Sequence, residues 1–288
     1  MHMMDPRSWR RFRNNPAAML GAVLVSIVTA IGLFGPMVAP HDHTRQQRER
    51  LLTERGTPAE PLTVDGHPLG ADPLGRDELS RLLHGGATSL LVAVSATGLA
   101  TALGLLIGIT SGYLGGVFDL IVMRLIDILL SMPFLLIAIA IRAVIEEPGL
   151  WTLASLLGGL SWTTLARVTR AKTQQIRELD FVHAARALGM SRARILVRHV
   201  LPNVLAPALI LSTTLIANMI MAESAMSYLG LGVEEPEASW GTMLREGQEI
   251  MTFAPRLMIY PSVLLIITVF GFNLLGEGLR DALDPKDF

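Results

Sequence analysis

The residues that could carry chemistry in this chain of 288 are few, and their spacing excludes more than it allows. Only two of the 24 basic residues are lysines, Lys172 and Lys286, and neither follows a glycine. A Gly-x-x-x-x-Gly-Lys-Ser/Thr loop, which cradles phosphates on backbone N–H groups, is therefore absent, and ATP cannot be held by that route. There is no cysteine, which removes disulfides, thiolate metal sites and cysteine nucleophiles together. His41 and His43 have the spacing of a metal pair, but His-x-His in a mobile outer loop is usually solvated, and no metal site is assigned. Glu223 alone lies clearly inside an apolar run. An ion-coupled carrier buries several ionisable groups at mid-membrane to bind its coupling ion. With no second acid or His at helical spacing, Glu223 reads as a carboxylate hydrogen-bonded between helices near an outer mouth. No catalytic residue is assigned, and the chain is not expected to be an enzyme.

What remains is mechanical. Between Arg170 and Pro202 basic and apolar residues alternate at helical spacing, with Leu179, Val182, Ala185 and Leu188 on one stripe and Arg177 and Arg186 elsewhere. Gly189 suits the position just past a helix end, Ser191 can cap a following helix, and Pro202 breaks the chain. Two short helices joined at Gly189-Met190-Ser191 are expected, lying along a membrane surface. Ala184, Ala185 and Gly189 have almost no side chain and could seat a partner backbone. An amphipathic helix held by anionic lipid is the other reading of the same residues.

The elements that must hold this segment are membrane-length. Mean hydropathy is +0.46, and charge-free stretches recur near the ~20 residues that cross about 30 Å of hydrocarbon. Six spans are expected: Pro16–Val38, Thr88–Ile109, Leu120–Val144, Leu150–Leu165, Val204–Leu231 and Leu257–Leu275. The first could also be a cleaved signal peptide, but it is too long for a typical apolar h-region and continues where a cleavage site should sit. Arg124 and Asp127 in the third can pair one turn apart. The fourth is short and rich in Gly, Ser and Thr, which suits a helix buried in a bundle. Net charge is only -1, so the whole-chain balance gives no nucleic-acid signal. Basic residues cluster before the first span, between the fourth and fifth, and after the sixth, which places both termini in the cytoplasm. Arg142 is expected to snorkel to the outer interface and Trp240 to sit at headgroup level.

The segment around Ala184 resembles the signature loop of permease subunits of bacterial ATP-binding-cassette importers: Glu-Ala-Ala, three residues, Gly, nine residues, Ile-x-Leu-Pro. Ala184, Ala185, Gly189, Leu201 and Pro202 match in register, whereas His183 replaces the usual Glu and His199 the Ile. Arg198-His199 through Asn203 is familiar from the dipeptide, oligopeptide and nickel branch. The stretch His67-Pro68-Leu69-Gly70-Ala71-Asp72 with Gly75-Arg76-Asp77-Glu78-Leu79-Ser80-Arg81 looks like the outer-loop signature of that branch's second permease. Ser131-Met132-Pro133, Ser239-Trp240-Gly241 and Leu283-Asp284-Pro285 extend the resemblance over nearly the whole chain.

The resemblance implies an all-α, six-helix polytopic permease of the type I importer fold in a bacterial inner membrane. Residues 1–15 form a cytoplasmic tail, 16–39 the first membrane helix and 40–87 an extracytoplasmic loop. Residues 88–280 form a five-helix core with the coupling segment 170–203, and 281–288 close as a cytoplasmic tail. Its implied partners are a homologous second permease, two cytoplasmic ATP-binding subunits that hold ATP and magnesium, an extracytoplasmic solute-binding protein and membrane lipid. Asp180, Phe181, His183, Ala184, Ala185, Arg186 and Gly189 carry the ATPase coupling. Asn218, Met219, Glu223 and Met226 are the candidate pathway, and Ser239 and Trp240 the candidate outer gate. Peptides lead as cargo, followed by nickel or a metal chelate and glutathione-type peptides. A self-sufficient ion-coupled carrier and a membrane scaffold are the readings from other classes.

Overall fold

The computed structural model describes residues 6–54, 56–145 and 149–283. Parts of both expected tails, together with Arg55, Lys286 and the Asp284-Pro285 pair, lie outside these residues. Among the described residues the chain is helical, without a strand beyond two isolated bridges in the loop after α2. Helix α1 spans Pro6–Asn14 and α2 spans Pro16–Val38; the Asn15 side chain accepts from the N–H groups of Ala17 and Ala18, with Pro16 preset for a first helical turn. A short turn of helix, α3, covers Arg48–Leu51. Helix α4 runs from Glu78 to Leu114, so it begins ten residues before the expected span, at an N-cap made by Asp77.

The expected third span is broken. Helix α5 (Gly116–Ser131) and α6 (Phe134–Arg142) meet at 89°. Pro133 lacks an N–H and forces the residue before it out of helical geometry, and Met132 is extended at φ -100, ψ 140. Helix α7 spans Leu150–Arg177, α8 spans Asp180–Ala187 and α9 spans Arg192–Ile195. A π-helical turn at Leu196–Val200 then leads into α10, Leu201–Tyr228. Pro202 therefore does not break the chain, as expected from its type, because the wider turn before it absorbs the missing hydrogen bond. Helix α11 is Trp240–Glu249 and α12 is Arg256–Leu283.

Among the described residues four helical stretches are long and apolar enough to cross a membrane: α2, α4, the run Arg192–Tyr228, and α12; the bent α5–α6 pair makes a fifth if it is one span. Helix α7 has the length, 28 residues, but its second half carries Arg167, Arg170, Lys172 and Arg177. Contacts define two ends. At one, the loop after α2 meets α11 and the start of α12; at the other, α1 meets the end of α12 beside the α8–α9 segment. Both described termini thus lie at the basic end.

Close approach of α4 and α7 holds these ends apart. Gly104, Gly108 and Gly112 form a stripe on α4, and Gly158 answers on α7. A Cβ at Gly108 would lie 1.9 Å from Thr169 Oγ1, and one at Gly158 would lie 2.6 Å from the Ala96 carbonyl. Backbones this close gain dispersion contact, the main source of helix association where lipid is as apolar as the side chains. Thr169 Oγ1 also donates across the contact to the Gly104 carbonyl at 2.9 Å. Small residues in the 150–165 stretch do mark a buried helix. Gly108→Ala should accordingly destabilise the detergent-solubilised chain by about 1–3 kcal/mol, the usual cost of overpacking. Gly98→Ala, where an added Cβ meets nothing within 4 Å, should be neutral or slightly stabilising. Thermal unfolding of the two variants side by side decides it, and equal effects would refute the packing account.

Candidate coupling, pathway and gate sites

At the basic end, α8 is closed by a glycine. Gly189 has φ +75, its N–H donates to the Arg186 carbonyl, and Met190 N–H donates to the Ala185 carbonyl. That pair of bonds is a Schellman stop. Ser191 occupies the next N-cap but its side chain makes no capping bond, contrary to expectation.

The expected apolar stripe divides in two. Val182 and Ala185 turn inward onto Ile109, Tyr113, Ile195 and Val200. Leu179, Phe181 and Leu188 face outward, Leu188 being 85% exposed. Ala184 and Gly189 share the outward face, while Ala185 belongs to the bundle and offers no seat to a partner. Asp180 stands exposed in the first turn, and Arg186 lies over the Tyr113 ring at 5.9 Å. His183 is half-exposed, with its Nε2 3.8 Å from the Glu178 carboxylate. Glu178, one turn upstream, thus supplies a carboxylate beside the position where His183 departs from the signature. Nothing in the motif pointed to it.

The segment is tied to the bundle through α7. Arg177 donates to the Tyr113 carbonyl at 3.3 Å, Arg170 makes two bonds to Asp119 on α5, and Arg167 pairs with Asp127. Asp127 also faces Arg124 at 3.8 Å, as its spacing predicted.

At mid-length a cavity of about 520 Å³ opens at the α5–α6 break. Asn218 and Met219 line it, with Met132, Phe134, Ser161, Thr164 and Thr214, which sequence reasoning did not select. Glu223 and Met226 do not reach it. Both are fully buried, and Glu223 accepts from Ser227 Oγ at 2.7 Å and from Ser224 Oγ at 3.3 Å. That satisfies a carboxylate between helices and leaves it off the cavity wall.

The loop end is a polar lock. Trp240 is fully buried in the protein rather than presented to lipid headgroups. Its indole N–H donates to the Leu82 carbonyl at 3.1 Å, and its ring packs on Gly86. Ser239, also buried, forms a reciprocal capping box with Thr242 at the start of α11. Arg142 does not snorkel: it is buried and donates to the Leu231 and Ile145 carbonyls, pinning the turn after α10. The two histidines expected to be solvated are stacked, His41 on His67 at 4.2 Å and His43 on His84 at 4.0 Å. His41, His67 and Asp77 come together, with possible ligand atoms within 4.8 Å of one another. His67 Nδ1 meets Asp77 at 2.8 Å, and Asp77 accepts from Ser80 at the start of α4. Arg76 and Arg81, both buried, grip Glu246 of α11 at 3.0 and 2.8 Å while sharing Asp72. Glu235 adds a third carboxylate 3.9 Å from Arg76.

Carboxylates outnumber guanidiniums in this lock. Burial pushes Glu246 up to about 7; the pull of Arg76 opposes this, and repulsion from Asp72 and Glu235 adds to it. Asp72 is raised by burial as well. Unfolded, Glu246 titrates near 4.5, so between these values the folded state holds the extra proton. Its contribution is complete below pH 4.5 and is lost as pH rises through about 7. Glu246→Gln should therefore flatten the pH dependence of unfolding between pH 5 and 8 by up to about 3 kcal/mol, at 1.36 kcal/mol per pKa unit. Melting curves of both forms across that range test it; parallel curves would refute it.

Comparison with known proteins bears on all three regions. Residues 104–286, which hold α8, the cavity helices α7 and α10, and α11, match the family described as binding-protein-dependent transport system inner membrane component. Residues 7–53 match the N-terminal transmembrane domain of oligopeptide transport permease C. The oligopeptide transport system permease protein OppC of Escherichia coli K12 is 37% identical over 278 residues, covering 96% of this chain and 90% of that protein. The dipeptide transport system permease protein DppC of Bacillus subtilis is 36% identical, covering 97% of this chain and 85% of that protein. The glutathione transport system permease protein GsiD of Escherichia coli O6 is 36% identical, covering 96% and 89%. The chain belongs to the binding-protein-dependent transport system inner membrane component family, in its oligopeptide and dipeptide permease branch.

Proposed function

We propose that this chain is a permease subunit of an ATP-driven importer and forms half of the translocation pathway for di- and oligopeptides. The observation that carries the reading is identity of 36–37% to peptide permeases across nearly the whole chain. The cavity supports it. Its walls are apolar with Ser161, Thr164, Thr214 and Asn218, and no charged residue lines it among those described. Neutral amide and hydroxyl groups can pair with a peptide backbone without selecting a side-chain charge, and Met132 and Met219 adapt to different shapes. A glutathione-type peptide is the second reading, favoured by the similarity to the glutathione permease.

In this reading the basic end faces the cytoplasm of a bacterial inner membrane, and a homologous permease completes the pathway. Two cytoplasmic subunits bind ATP and magnesium, and a solute-binding protein delivers cargo to the loop end. The outward face of α8, carrying Asp180, Phe181, Ala184, Leu188 and Gly189 with His183 beside Glu178, receives the ATPase. Movement passes into α7 through the turn at Glu178 and Leu179. Ser239 and Trp240, with the Glu246 lock, hold the outer gate in place. ATP hydrolysis belongs to the partners, and this chain contributes the moving wall.

Leu188→Asp places a charge in an apolar contact without touching the bundle. It should reduce capture of the ATPase subunits about 30-fold, as loss of a buried interface anchor does, and reduce peptide uptake in proteoliposomes to match. Membrane insertion and melting temperature should be unchanged, whereas Val182→Asp should unfold the segment. Uptake by this chain alone, driven by an ion gradient without ATPase, would overturn the proposal.

A further inference from the structure

A second concave surface lies at the basic end, apart from the outward face of α8. A groove of about 1200 Å³ runs between the start of the 192–228 helix and the end of α12. Arg194 and Arg198, one helical turn apart, line it together with Val197, Leu201, Leu205 and Leu283. Among the described residues no Asp or Glu lines it, and neither guanidinium has an acidic partner. The contrast with α7 is clear, where Arg167, Arg170 and Arg177 are each matched by a carboxylate.

Depth in the membrane follows from helix length. Helix α12 has 28 residues, about 42 Å at 1.5 Å per residue, against about 30 Å of hydrocarbon. Its first residue, Arg256, is anchored in the loop end by Glu60 at 2.9 Å and the Ala59 carbonyl at 2.9 Å. The apolar run of the helix ends near Leu275, and Glu277, Arg280 and Asp281 follow it, so its last turns emerge at the basic end and Leu283 with them. Helix α1 packs on the same helix end through Phe12 and Ala282, and its Arg10 and Arg13 are exposed there.

We infer that this groove binds an anionic glycerophospholipid of the adjoining leaflet, its phosphate on Arg194 and Arg198 and an acyl chain along Val197, Leu201 and Leu283. An unpaired guanidinium pair beside apolar side chains complements a molecule that is anionic at one end and hydrocarbon at the other. Guanidinium forks match phosphate oxygens in geometry as well as charge, and basic pockets between membrane helices at this depth suit such headgroups. The inference rests on the chain's lying in a membrane and not on the transport reading or its direction.

The test uses the full chain extracted from membranes of phosphatidylcholine containing phosphatidylglycerol. Lipid retained on the purified protein is then counted by native mass spectrometry. At about 1 kcal/mol for each basic residue at an anionic surface, Arg194→Gln should lower phosphatidylglycerol retention roughly 5-fold and the Arg194→Gln, Arg198→Gln pair about 30-fold. Arg192→Gln, exposed but outside the groove, should leave retention unchanged, and the melting temperatures of all three should match the parent. Equal retention by the double variant would overturn the inference, as would an equal loss in Arg192→Gln, which would mean diffuse surface charge. Loss of co-purified ATPase with lipid retention intact would also overturn it, by assigning the groove to a protein partner.

Discussion

The contact between α4 and α7 sets what every other part of the molecule can do. In hydrocarbon, apolar side chains gain little by leaving lipid for protein, so two helices stay together only by fitting closely. Gly104, Gly108 and Gly112 remove the side chains that would keep α4 from α7, and the Thr169 hydroxyl fills the space so released. Once that seam is fixed, the two ends of α7 are fixed with it. Its middle lines the cavity with Ser161 and Thr164, and its last turns carry Arg170 and Arg177 onto α5 and α4. The seam is what makes a helix with a strongly polar second half part of a membrane bundle.

The loop end obeys a different rule. Removed from water, charges must find partners, and Arg76 and Arg81 find theirs in the nearby Asp72 and in Glu246, distant in the chain on α11. The gain from a buried pair is small against its desolvation cost, but removing one partner leaves a buried charge uncompensated. Such a network therefore specifies an arrangement more than it stabilises one. It holds α11 against the start of α4, where Trp240 and Gly86 leave no room for error. Because the carboxylates are in excess, a proton held on Glu246 improves the balance.

How much of this was legible depends on whether a residue's role is local. Gly189 ends a helix by its own conformational freedom, so its position could be read from the sequence. The small-residue content of the 150–165 stretch likewise announced a buried helix. Pro133 and Pro202 show the limit. Both deny the chain a hydrogen bond, yet the first stands at a bend of 89° and the second inside one continuous helical run. A π-helical turn ahead of Pro202 takes up the defect, and no residue type announces such a turn. Trp240, Arg142 and the stacked histidines were misjudged for a related reason. Each is amphipathic, with a surface role as its ordinary fate, and Trp240 and Arg142 are buried and His41 and His43 half-buried only because elements far away in the chain supply a partner: the Leu82 and Leu231 carbonyls, His67 and His84. The carboxylates of the outer-loop signature could be recognised as a motif, but not the Glu246 that completes them.

The division of the expected apolar stripe has a mechanical meaning. Had Leu179, Val182, Ala185 and Leu188 all faced the bundle, α8 would be a surface decoration with nothing to grip. Had they all faced outward, it would be a handle with no shaft. Val182 and Ala185 seat α8 on Tyr113 and Ile195, so a force on Phe181 or Leu188 enters the bundle rather than bending a loop. The nearest stiff element is α7, two residues upstream across Glu178 and Leu179. From Arg177 to Thr164 on the cavity wall is thirteen residues of unbroken helix, about 20 Å at 1.5 Å per residue. A rigid helix over that length moves as a lever. The break at Met132 and Pro133 on the opposite wall is where the structure has already given up helical hydrogen bonds. In the proposed coupling, motion delivered through α7 meets its least resistance at the cavity itself.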